Sequence, residues 1–277
     1  MRIDIVHSAI MGHKTVWEER QYLLKLAIIP LLMKIICSVA IYTMDMDSVT
    51  LRHVLVMLPA YFFEGWMIAQ FLRTLLTGER WPMRVANEPT KQQMEFILWR
   101  ARGILAGILC FVLIVMIQGG LAVLMDSIRQ MVAVDPAQSQ GGGSIMFLLL
   151  GVVMMVATIW MFRLVWLYIP LVILTPIKPF LNDIKGMMTS VYMIGLWILS
   201  VVPLMFVTML LSGLLLGGSP ETAIENVTIQ GFLTIILHVI GQFIVQIISI
   251  TAMAHALKDI LVKYGAKPIF IEPEKPY

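Results

Sequence analysis

Apolar residues fall into six runs, about 23–44, 53–76, 103–125, 145–169, 190–216 and 229–254, separated by short polar segments. About 20 residues of α-helix cross roughly 30 Å of hydrocarbon at 1.5 Å per residue, so each run is long enough for one crossing. Lipid offers the backbone no hydrogen bonds, and a helix satisfies its own N–H and C=O groups. The short alternating strands of a transmembrane barrel do not appear. The pattern predicts an all-α, integral membrane helical bundle of six transmembrane helices. Residues 1–268 form its single domain, and 269–277, with Pro273 and Pro276, form an extended cytoplasmic tail.

The polar segments alternate in charge. Basic residues gather in the N-terminal tail (Arg2, Lys14, Arg20), around the second connection (Arg73, Arg80, Arg84, Lys91, Arg100, Arg102), in the fourth, and in the C-terminal tail. The intervening connections hold only Arg52 and Arg129. Such a bias places the basic side, and with it both termini, in the cytoplasm. The opposite connections include Asp45 and Asp47 within Met44–Thr50, a Gly-rich stretch in Asp126–Ser144, and Gly217–Pro220. Asn226-Val227-Thr228 matches a glycosylation sequon, most simply by chance. On the basic side, His7–Arg20, Thr90–Arg102 and Phe180–Thr189 each precede an odd-numbered span. They predict three repeats of a short interfacial helix followed by a transmembrane hairpin. Pro30 and Pro203 are expected to loosen spans one and five.

Composition agrees: of 277 residues, 59% are hydrophobic and 13% charged, with a mean hydropathy of +0.88. A soluble domain carries about 25% charged residues. The net charge of +3 sits beside spans as an orientation signal and forms no basic domain for nucleic acid. Cys37 and Cys110 lie in apolar runs and define no disulfide framework. The first twenty residues are too charged for a cleavable signal peptide.

Charge inside an apolar run costs about 2.5–3.5 kcal/mol on insertion scales. Lys34 and Glu64 lie fourteen residues before and sixteen after Ser48, where the first hairpin turns. Antiparallel helices therefore bring them to one depth, as a buried ion pair. The pair serves either as a packing clamp or as a coupling site for protons or substrate. In span six, Thr234, His238, Gln242 and Gln246 recur every four residues, with Ser249 on the same broad face. That stripe reads as interhelical hydrogen bonding or as a hydrated path containing His238. Arg73 and Arg163, near the basic ends of their spans, are expected to snorkel, contacting anionic lipid together with Lys178 and Lys185. Gly103–Gly107 and Gly213–Gly217 have the spacing that permits close helix approach. His255 and Asp259, one turn apart, read as a solvated helix end or an acid–base pair.

No HExxH, GxSxG, Walker A or GxGxxG motif is present, and the five histidines do not cluster at metal spacing. Neither an enzyme nor a bound cofactor is expected. The run Phe71-Leu72-Arg73-Thr74-Leu75-Leu76-Thr77-Gly78-Glu79-Arg80-Trp81-Pro82 resembles uncharacterised multi-pass inner-membrane proteins of alphaproteobacteria. Arg163, Pro170 and Gly195-Leu196-Trp197 are similar to a wider group, the YciC-like proteins and the membrane domains of glycerophosphodiester phosphodiesterases. Asp183–Ser190 departs from that group's Ala-x-x-x-Ser pattern. The resemblance implies a bacterial inner membrane and a helical bundle, and no activity. Two functions fit: a non-enzymatic protein supporting transport, membrane homeostasis or complex assembly, or a small secondary transporter using Lys34, Glu64 and His238. The expected partners are the lipid bilayer and a membrane-protein partner or second copy.

Overall fold

The computed structural model describes residues 4–44, 51–82, 90–133, 143–216 and 229–266. The expectations for residues 45–50, for Gly217–Pro220, the sequon and the tail lie outside the described residues; of the connection expected at Asp126–Ser144, residues 126–133 and 143–144 are helical instead, and 134–142 lie outside the described residues. Within them the chain is all-helical, without strands. Its elements are α1 (Ile5–Glu18), α2 (Arg20–Thr43), α3 (Leu51–Thr77), α4 (Lys91–Ala133), α5 (Gly143–Met161), a 3-10 turn (Phe162–Trp166), α6 (Tyr168–Val172), α7 (Ile177–Asp183), α8 (Met187–Leu216), α9 (Ile229–Ala256) and α10 (Lys258–Lys263). Six segments are long and apolar enough to cross a membrane, and they coincide with the six apolar runs.

The centre of the bundle is α3, which packs against α2, α4, α6 and α9. Every residue from Met67 to Leu76 is buried, so its last turns are enclosed on all sides. Tyr22 meets Thr74 and Lys34 meets Glu64, which fixes α2 and α3 as antiparallel neighbours. Gly65 against Ile108 and Val54 against Gly119 do the same for α3 and α4. A continuous core joins α3 to α6, α8, α9 and α10.

The three segments expected to be equivalent interfacial helices take three different forms. Residues 7–20 lie mostly in α1, which packs along α8 and α9 through a stripe of Ser8, Ala9, Gly12 and Thr15. A Cβ on Gly12 would stand 2.8 Å from that of Ala252, so glycine permits the close approach. Residues 91–102 continue unbroken into α4, a 43-residue helix about 65 Å long. Residues 180–189 split between α7 and the first turn of α8.

The fourth run is not one helix either. It tightens into the 3-10 turn just before α6. Pro170 explains the position: it has no N–H to donate to the Trp166 carbonyl four residues earlier, so that turn is free to close more tightly. Pro30 and Pro203, by contrast, sit inside the unbroken helices α2 and α8.

Candidate functional site

Lys34 Nζ donates to Glu64 Oε1 at 2.9 Å, and the two side chains are 8% and 3% exposed. One turn of α3 away, Tyr61 lies within electrostatic reach of Glu64, as does Tyr168 of α6. The pair-bearing helices α2 and α3 both pack against α9, which carries His238. The ion pair and the α9 stripe, far apart in sequence, thus lie on helices that pack together.

The α9 stripe divides along its length. Thr234 is buried, whereas His238 and Gln242 are exposed and joined at 2.7 Å through His238 Nε2 and Gln242 Nε2. One turn further on, Gln246 is half-buried and Ser249 buried, its Oγ donating to the Val245 carbonyl at 2.8 Å. Gln246 and Ser249 line a cavity of about 280 Å³, shared with Gln118 and Phe111 of α4, with Tyr168 and with Trp197 of α8. Polar positions are therefore not sealed into dry helix contacts along the whole stripe.

One wall of the cavity comes from the 3-10 turn and α6. From the 3-10 turn to three residues beyond α6, three buried polar atoms lack a hydrogen-bond partner: Arg163 Nε, Trp166 Nε1 and Thr175 Oγ1. Buried polar atoms are paired in the great majority of cases, so three within thirteen residues single this stretch out.

Arg73 is not at a lipid-facing surface, contrary to the snorkelling expectation. It is 0% exposed. Its Nε and Nη2 donate to the Glu79 carboxylate at 2.9 and 2.8 Å, its Nη1 donates to the Val172 carbonyl at 2.8 Å, and its guanidinium stacks on Trp99 at 4.6 Å. Gly78, at φ 80°, ends α3 and turns the chain so that Glu79 folds back beneath Arg73. Arg100 joins Glu79 at 3.7 Å and donates to Gln70 at 3.1 Å. Thr74 contacts Tyr22 and donates to the Glu79 carbonyl, Arg80 pairs with Glu19 at 2.7 Å, and the Trp81 N–H donates to Tyr22. The run carrying the family resemblance is thus a knot that ties α2, α3, α4 and α6. Tyr22 and Gln70 stood out by no pattern, whereas Arg100 was legible only as an orientation charge and Glu79 only as part of the run that carries the resemblance.

Gly103 and Gly107 serve the same knot. A Cβ on Gly103 would lie 2.3 Å from the Val172 carbonyl oxygen, and one on Gly107 2.5 Å from Val172 Cγ2. At Gly213 no atom of the described residues lies within 4 Å. Arg163 is also buried, at 7% exposure, donating to the Ile184 carbonyl at 3.2 Å and lying over Trp160 at 4.4 Å. Lys178 and Lys185 are exposed. No contact joins Arg73, Arg163, Lys178 and Lys185 into one site among the described residues.

Two further contacts bind the basic end. His255 Nε2 lies 2.9 Å from Thr15 Oγ1, linking α9 to α1. Asp183 accepts from Lys263 at 3.0 Å and from the Tyr264 hydroxyl at 2.8 Å, linking α7 to α10. These bonds, Lys263's first, hold the Asp183 carboxyl below its usual range. Among the described residues no three His, Cys, Asp or Glu side chains gather as a metal-binding group.

No protein-family model, curated protein or solved structure matches this chain.

Proposed function

We propose that this chain is a six-span protein of a bacterial inner membrane, with both termini in the cytoplasm, that carries a small solute along the polar seam of α9 and catalyses no reaction. Support for insertion comes from the outward faces of the helices. Leu24, Ile28, Leu32 and Ile36 form an exposed stripe of period four on α2, 54–66% exposed, and such stripes need lipid or another apolar cover. The excess of Lys and Arg on one side sets the orientation.

The transport reading rests on one observation: the α9 seam runs from the exposed His238–Gln242 pair to the cavity at Gln246 and Ser249, beside the Lys34–Glu64 pair. A buried carboxylate held by a single ammonium is a charge that can change partner. Loss of the Glu64 charge removes the counter-charge of Lys34 and leaves an unpaired ammonium on α2, which favours a rearrangement of α2 against α9. The test is solute uptake into proteoliposomes, using pooled amino acids, nucleobases and small amines. Uptake of at least one pool, abolished by Glu64→Gln when flux is expressed per mole of reconstituted protein, is the expected result. Flux indifferent to Glu64→Gln, or absent for every pool, contradicts it.

A second reading, a packing clamp between α2 and α3, draws on the near-complete burial of both side chains. Here the double substitution Lys34→Met with Glu64→Leu would restore both yield and flux. Under the transport reading it restores yield alone.

A further inference from the structure

The cavity has a composition that specifies what it would hold. Five rings form a contiguous belt: Phe111 lies 5.7 Å from Tyr168, Tyr168 6.3 Å from Trp166, Trp166 6.1 Å from Phe162, and Phe162 6.2 Å from Trp197. Three of these contacts are edge-to-face, at 67–89° between ring planes. Such a belt presents both ring faces and ring edges to the space it bounds.

The polar lining is amide and hydroxyl. Gln118 comes from α4, where its exposure puts it at the mouth, and Gln246 comes from α9. Neither amide makes a hydrogen bond among the described residues, although each carries two donors and an acceptor. Within an apolar span such groups have no partner in lipid, so unpaired amides on the wall point to a polar occupant. Among the described residues, no Asp, Glu, Lys or Arg lines the cavity. A formal charge placed there would lose its hydration without gaining a counter-ion, which excludes charged ligands on energetic grounds. The volume, about 280 Å³, falls just under the roughly 300–1,000 Å³ of drug-sized pockets and suits one ring or two fused rings.

We infer that this cavity binds an uncharged planar ring compound with a hydrogen-bonding edge, its faces against the aromatic belt and its edge on the amides of Gln118 and Gln246. The inference names the solute class for the route proposed above and rests on that reading for its role, but the binding itself can be measured separately.

The experiment uses full-length protein in lipid nanodiscs and radiolabelled indole by equilibrium dialysis, with empty nanodiscs as the blank. Saturable one-to-one binding of indole is expected. Gln246→Leu, which keeps the volume and removes the amide, should weaken it roughly three- to tenfold, the loss of one hydrogen bond. Trp197→Leu should weaken it as well, and both variants should melt within a few degrees of wild type without ligand. Naphthalene, of the same shape but lacking the polar edge, should compete more weakly than indole. Absence of saturable binding overturns the proposal. So does indifference to Gln246→Leu, which marks a greasy slot for an acyl chain, or tighter binding of benzyltrimethylammonium, which marks a cation cage. Indole binding with no transport of any solute sustains the site and removes the route. Transport without indole binding does the reverse.

Discussion

Arg73 and Arg163 look interchangeable in sequence, since each lies near the basic end of an apolar run. Their surroundings differ. Arg73 gives bonds from Nε, Nη1 and Nη2 to a bidentate carboxylate and a carbonyl, and its face lies on an indole. Arg163 makes one carbonyl bond at 3.2 Å, stacks on Trp160, and keeps a buried Nε without a partner. Buried charge is tolerated only where its hydrogen bonds are met. The Arg73 region is accordingly a closed joint, fixing where α3, α4 and α6 meet. The Arg163 region is incompletely satisfied, tightened to a 3-10 turn, and forms a wall of the cavity. Within one bundle, then, one buried arginine fixes the frame and the other marks the part with room to change.

The contrast breaks most sharply at Glu79. Glu79→Ala leaves Arg73 fully buried without its counter-charge and should cost about 3–5 kcal/mol, read as unfolding in mixed detergent–SDS micelles. An effect under about 1 kcal/mol would mean that the knot is not a joint. Next comes Gly103→Ala, which forces a methyl group against the Val172 carbonyl and the Arg73 guanidinium. It should cost about 1–3 kcal/mol, while Gly213→Ala, with open space around it, should be neutral or stabilising by up to about 1 kcal/mol. Equal effects at the two glycines would dissolve the distinction between these two spacings. Arg163→Met removes an under-satisfied charge and keeps much of its volume, so stability should stay within about 1 kcal/mol of wild type. A loss as large as that of Glu79→Ala would put both arginines in the same class.

The smallest effect is electrostatic and lies at the surface. Asp183 has a folded-state pKa below its unfolded value, held down by Lys263 and Tyr264. Its stabilising contribution is therefore complete above the ordinary carboxylate pKa, about 3.9, and is lost as the pH falls through the lowered folded value. Asp183→Asn should leave the melting temperature little changed at pH 7 and flatten its acid dependence below about pH 4. A dependence that is unchanged by the substitution would show that the α7–α10 contact is not formed in solution.

The six spans were legible because hydropathy and length carry their own signal, independent of tertiary contacts. The Lys34–Glu64 contact could be counted from the turn, since antiparallel helices convert sequence offset into depth. Arg73 could not be read in this way. Its partner Val172 lies 99 residues away, and Glu79 reaches it only because Gly78 adopts a positive φ. The break before α6 was marked by Pro170, but a proline alone does not separate a kink from a tolerated one, as Pro30 and Pro203 show. The cavity was invisible for another reason. Phe111, Trp166 and Trp197 each satisfy a hydropathy pattern as ordinary span residues, and only the packing of five elements brings them round one cavity.

The central claim is that α9 carries a water-accessible polar seam rather than a dry contact. Single cysteines at Gln242, Gln246, Ser249 and Ile244, placed in a chain with Cys37 and Cys110 replaced by alanine, would be exposed to a membrane-impermeant thiol reagent in intact membranes. Modification is expected at 242 and 246, slower modification at 249, and none at 244, which is exposed on the apolar side of the helix. Inertness at 242, 246 and 249 alike would contradict it.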